Sequence, residues 1–183
     1  GVLRHVGNTP GGMVAGVLAV SSFLAMWISN TATAVMMLPI GLSLVTLLHQ
    51  KGSAGSDAEK RMGKAISLAV AYGAVIGGLS TFVGTPTNAI LYGHMQNTYN
   101  YSLELGRWMT FGIPLTFTIG FFAWLILRFL HLRGVSMPKT MRMDLARAYK
   151  ELGKMKKGEC FTALIFVIVV LLWISSAFLQ RVT

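Results

Sequence analysis

Charged residues in this sequence are gathered into short stretches, and between them lie four long runs with no Asp, Glu, Lys or Arg. The first extends from Gly11 to Gln50, between Arg4 and Lys51. The second begins at Ala65, after Lys64, and continues through Asn100 towards Glu104. The third covers Trp108–Leu127, ahead of Arg128, and the fourth Cys160–Gln180, ahead of Arg181. A membrane-crossing helix needs about 20 mostly apolar residues, and an uncharged run of that length is its mark. The last two runs therefore predict single spans over 108–132 and 160–180, with Trp108, Trp124 and Trp173 among their aromatic residues.

The first two runs are interrupted. Gly11–Gln50 is too long for one helix, and its middle is Ser29-Asn30-Thr31-Ala32-Thr33. Two full crossings with an uncharged outer loop, or a re-entrant hairpin whose tip stops inside the membrane, both fit. Each arm is slightly short for a full crossing, which favours the hairpin over 11–50. The run 65–100 is broken by Gly77-Gly78-Leu79-Ser80-Thr81-Phe82-Val83-Gly84-Thr85-Pro86-Thr87-Asn88. Pro86 cannot donate a backbone hydrogen bond, and a helix broken near mid-membrane is expected there.

Composition agrees with that reading. Of 183 residues, 54% are hydrophobic and 12% charged, with a mean hydropathy of +0.61. A soluble domain carries about 25% charge. The expectation is an all-α integral membrane protein whose partner is the lipid bilayer. The net charge of +10 is a topology signal rather than a nucleic-acid signal. Fourteen basic residues, from Arg4 through Lys64 and from Arg128 through Lys157, fall on one side, and only Arg107 and Arg181 on the other. The positive-inside rule makes the first side cytoplasmic.

The expected order is a cytoplasmic lead-in (1–10), the hairpin (11–50), a cytoplasmic loop (51–64), the broken helix (65–100) and an outer loop (101–107). A transmembrane helix (108–132), a cytoplasmic connector (133–159) and a final span (160–180) follow. Met141, Leu145, Ala148 and Leu152 make the connector either an amphipathic helix on the membrane face or a solvated one. A single cysteine, Cys160, excludes a disulfide framework and a Cys-rich metal site. The opening at Gly1 and the stop after an apolar run read as a piece of a longer membrane protein.

Polar groups at membrane depth are costly unless they line a cavity or are buried in protein. The two interrupting clusters contain no charge; they offer amide and hydroxyl oxygens and backbone groups freed at helix breaks. Thr85-Pro86 has the form of an N-cap followed by proline at the first helical position, with Asn88 in the first turn, and Asn30 or Thr31 can cap the returning hairpin arm. A helix N-terminus suits an anion, and oxygens at a break suit a small hard cation such as sodium. Close helix packing is the competing use of Ser, Thr and Gly in such places. His5, His49, His94 and His131 lie near run ends without carboxylates at metal spacing, the methionines are scattered through apolar and connector segments, and no Walker lysine follows Gly77-Gly78. An intramembrane enzyme would need a histidine or acid level with Ser29, and none is placed there.

The stretch Trp27-Ile28-Ser29-Asn30-Thr31-Ala32-Thr33-Ala34-Val35-Met36-Met37-Leu38-Pro39-Ile40 resembles the Ser-Asn-Thr signature of the divalent anion:sodium symporter family. Gly77–Ile90 resembles that family's second signature in the same half, in matching order and separation. The resemblance implies a non-enzymatic transporter with two inverted repeats, each holding a re-entrant hairpin and a broken helix, working by an elevator movement. This sequence looks like the first repeat and the start of the second. By the same resemblance, Ser29, Asn30 and the backbone of Gly84 hold sodium. Asn30, Thr31 and Thr85 meet a carboxylate of a di- or tricarboxylate, and Pro86 shapes the loop. A plasma (inner) membrane location and a homodimer of the full-length protein are implied too. One position departs: many sodium-coupled relatives carry serine one turn before Ser29, where this chain has Ala25. Ser22 or the backbone is the available substitute, and sodium-independent exchange stays open.

Overall fold

The computed structural model describes residues 9–49, 56–101, 105–135 and 157–179. Most of the 133–159 connector, the lead-in before Thr9 and the segments 50–55, 102–104 and 180–183 lie outside the described residues. Among those described the chain is helical: α1 (Pro10–Ala25), α2 (Asn30–His49), α3 (Ser56–Gly78), α4 (Pro86–Tyr99), α5 (Leu105–His131) and α6 (Lys157–Leu179).

Local chemistry sets the ends. Pro10 opens α1 behind Thr9, whose hydroxyl accepts from Gly12 N at 3.0 Å. Ser29, rather than Asn30 or Thr31, caps α2: its hydroxyl accepts from Ala32 N at 3.3 Å. The cap thus falls one residue before Asn30 and two before Thr31, the two positions the sequence offered, and the Asn30 side chain is released for longer-range contact. α4 closes on Asn100, in the left-handed region at φ 50°, with its N–H returned to Met95 O. α3 starts at Ser56, inside the stretch read as a loop up to Lys64, with Asp57 and Glu59 in its first turn. Uncharged runs report where lipid begins, whereas acidic residues at a helix N-terminus report where the helix begins. In the same way, α6 takes in Lys157 and Glu159 ahead of Cys160.

α1 packs most extensively on α3, the central helix of the bundle, which also packs on α2 and α5. Met13, Val14, Val17 and Leu18 of α1 join Met37 and Val45 of α2, Met62, Ile66 and Val70 of α3, and Leu127 of α5 in one apolar core. Leu18 lies beside Gly73 and Ser22 beside Gly77, so α1 and α3 run parallel with their backbones in contact. Ile66 lies beside Gly41 and the Asn30 amide beside Gly78, so α2 runs antiparallel to α3. α5 returns along both: Trp108 Nε1 donates to Leu79 O at 3.1 Å, and Trp124 Nε1 to Gly11 O at 2.8 Å. The basic residues Arg61, Arg128 and Arg133 gather where α1 begins, with Arg61 Nη1 donating to Arg133 O at 3.1 Å. The hairpin tip between α1 and α2, and the break between α3 and α4, lie at the opposite end.

The outer surface is apolar. Val35, Ile90, Phe111 and Phe117 are each at least 70% exposed, and Phe161, Ile165 and Leu171 of α6 are exposed too. So much exposed aromatic and aliphatic surface demands lipid or further protein around it. Among the described residues one helix, Leu105–His131, is long and apolar enough to cross a membrane. Pro10–Ala25 and the stretch Asn30–Thr46 are apolar but shorter.

Candidate functional site at the hairpin tip and helix break

The two polar clusters marked in the sequence, about fifty residues apart, meet in space. Glycine makes the meeting possible. A Cβ on Gly84 would lie 2.6 Å from Ala25 O and 2.7 Å from Gly78 Cα, both backbone atoms that cannot step aside. A Cβ on Gly78 would strike the Asn30 amide, and one on Gly77 the backbone of Ser22.

Asn30 crosses the junction from the hairpin side. One terminal atom of its amide lies 2.9 Å from Ala74 O and 3.1 Å from Gly84 O. With nitrogen in that place the amide donates to both carbonyls and closes the junction on itself. With oxygen there, three oxygens converge without a donor, an arrangement that only a cation between them stabilises. Amide orientation is assigned from the surrounding hydrogen bonds, and the ion-free protein takes the first. A half-turn of one side chain separates the two.

The break itself is held by its own polar groups. α3 ends with Leu79 N on Ile76 O (3.2 Å) and Ser80 N on Gly77 O (3.0 Å). Asn88, 7% exposed, donates from Nδ2 to Gly78 O at 3.0 Å and to Thr81 O at 2.8 Å, tying the end of α3 to the loop beyond it. The Thr81 hydroxyl donates to Met26 O at 2.5 Å and accepts from Gly84 N at 3.0 Å. Ser80 Oγ and Thr116 Oγ1, 2.6 Å apart, fasten the break to α5.

Of the residues singled out from the sequence, Asn30 and Gly84 are brought into contact. Ser29 is exposed and its hydroxyl is engaged in capping α2. Thr85 is the half-buried N-cap of α4, extended at φ −141°, with no hydroxyl bond to its own helix. Pro86 follows at the first helical position, and both it and Thr31 are exposed. α2 and α4 therefore begin beside one another, and the Thr31 and Thr85 hydroxyls stand at those two N-termini. Thr81 was hidden in the sequence among neighbouring hydroxyl residues. Asn88 was legible only as a first-turn residue, because its partners lie across the break. Ala25 is fully buried, and the Ser21 and Ser22 hydroxyls on the same helix are buried with no hydrogen-bond partner among the described residues.

The model of the citrate transporter family (CitMHS) matches residues 1–183, the full chain. The chain belongs to this family. It is a transporter-family integral membrane protein and not an enzyme, and the resemblance to divalent anion:sodium symporters stands. It is 30% identical over 183 residues to the sodium-dependent dicarboxylate transporter SdcS of Staphylococcus saprophyticus, covering 98% of the chain and 35% of that protein. Against the protein of the same name in Staphylococcus aureus strain USA300, identity is 32% over 184 residues, again 98% and 35%. The chain thus spans about a third of the length of these curated relatives.

Proposed function

We propose that this chain supplies one half of the binding centre of a secondary active transporter that carries a small di- or tricarboxylate into the cell with sodium. The observation that carries the proposal is the convergence of the Asn30 amide on the carbonyls of Ala74 and Gly84, beside two adjoining helix N-termini. Sodium, the co-transported ion, is held by the Asn30 amide oxygen and the Gly84 carbonyl, with Ser29 contributing from the hairpin tip. Ser29 must then leave its cap on α2. A substrate carboxylate meets Asn30, Thr31 and Thr85 at the N-termini of α2 and α4, where unpaired N–H groups and the helix dipoles favour an anion. Pro86 fixes the entry into α4.

Neither the Ser29–Thr33 tip nor the 79–88 break carries a charged side chain, so co-bound sodium offsets the substrate's charge. Moving an anion alone into a negative cell costs about 2.3 kcal/mol per charge per 100 mV, which makes excess sodium the driving ion. In this reading α1 and α2 form a re-entrant hairpin (11–50) in the plasma (inner) membrane, and 65–100 is a broken transmembrane helix. Segments 108–132 and 160–180 span, and the basic segments 1–10, 51–64 and 133–159 face the cytoplasm. The 101–107 loop lies outside. The unit is one of two inverted repeats, moves as an elevator, and works in a homodimer of the full-length protein. The SdcS relatives are named for sodium and dicarboxylate, which supports that substrate class.

Labelled succinate uptake by the full-length protein in proteoliposomes tests this. Uptake that requires an inward sodium gradient and vanishes in potassium is expected. The buried Ala25 favours one second reading, a sodium-independent exchanger, for which uptake would ignore sodium and rise with internal dicarboxylate.

A further inference from the structure

Threonine hydroxyls in this bundle commonly bond back to their own helix: Thr110 to Gly106 O, Thr118 to Pro114 O and Thr162 to Gly158 O. Such bonds satisfy a polar group in apolar surroundings and position nothing else. Thr81 differs. Its residue is 1% exposed, and its hydroxyl donates to Met26 O at the hairpin turn, 55 positions away in sequence. The same oxygen accepts from Gly84 N within the break, and the Thr81 carbonyl accepts from Asn88. One side chain therefore spans the two segments whose approach brings Asn30 against Gly84.

We infer that Thr81 is a positioning residue for the cation, acting through Gly84 and the hairpin tip rather than by touching the ion. The inference rests on the sodium-coupled reading above. Fixing Gly84 N to Thr81 fixes the residue whose carbonyl faces Asn30, and fixing Met26 O holds the turn from which Asn30 projects. Without the hydroxyl the two oxygen donors separate, and sodium must spend part of its binding free energy on reuniting them. Apparent sodium affinity then falls, while a saturating sodium concentration restores both the substrate KM and the maximal rate. A threonine needed only for packing would behave differently, lowering the amount of folded transporter without a sodium-dependent recovery.

The test uses the full-length protein, with thermal unfolding in detergent across sodium concentrations at constant ionic strength in choline, alongside proteoliposome uptake. Thr81→Val and Thr81→Ala are expected to raise the sodium concentration for half-maximal stabilisation about tenfold, the effect of one lost buried hydrogen bond. Thr81→Ser, which keeps the hydroxyl, is expected to restore it. Unshifted sodium dependence in both hydroxyl-free variants overturns the inference and leaves the sodium reading intact. Variants that are destabilised equally in sodium and choline, or a maximal rate that sodium does not recover, also overturn it by placing Thr81 in the fold alone. An unmutated protein indifferent to sodium overturns the coupled reading and the inference together.

Discussion

At the scale of single residues, the site depends on side chains that are missing as much as on those present. Gly84 lies against Ala25 O and Gly78 Cα, so Gly84→Ala forces backbone apart. A loss of about 1–3 kcal/mol is expected, as for overpacking elsewhere, together with lost sodium stimulation. Thermal unfolding and uptake measured on the same preparation check both. Asn30→Ala removes the side chain that bridges Ala74 and Gly84; expression should persist while sodium-stimulated uptake falls about tenfold or more. Ala25→Ser is the opposite experiment. It places a hydroxyl on the helix turn before Ser29, and a lower sodium half-saturation, about threefold or more, is expected in uptake titrations if that oxygen reaches the ion. The Ser29-Asn30-Thr31 cluster was readable from its position within an uncharged run. The assignment of the cap was not, since which of three adjacent polar residues turns back on the helix depends on where the chain enters it.

At the scale of elements, the helices were largely legible and the contacts between them were not. Thr85-Pro86 announced the start of α4, and the glycine and hydroxyl residues before it announced the break. Bonds such as Thr81 to Met26 or Trp108 to Leu79 join segments far apart in sequence, and no local pattern encodes them. The onset of α3 at Ser56 was missed for another reason: charge near a membrane ends the apolar run without ending the helix. The break also has its own anchor in Asn88, whose amide satisfies two carbonyls at once. Asn88→Ala strands both acceptors in a buried place. Destabilisation of about 1–3 kcal/mol is expected, seen as a lower unfolding temperature in sodium and choline alike.

At the scale of the whole molecule, exposed aromatic and aliphatic residues outnumber what a water-facing surface tolerates, and the basic residues Arg61, Arg128 and Arg133 collect at one end. Cys160 is the sole cysteine of the chain, is exposed, and stands near the start of α6. In full-length protein whose other cysteines are removed, an impermeant maleimide should label Cys160 in inside-out vesicles and spare it in right-side-out ones. Labelling of right-side-out vesicles would invert the proposed topology. The close approach of α1 to α3 at Gly73 and Gly77 bears on how such a protein can move. At these two positions main chain of α3 rests on main chain of α1, with no α3 side chain between them to act as a lubricant. Sliding either helix by one residue would drive a carbonyl or a Cβ into its neighbour. α1 and α3 are therefore geared together, and any movement of α1 must carry α3 as ballast.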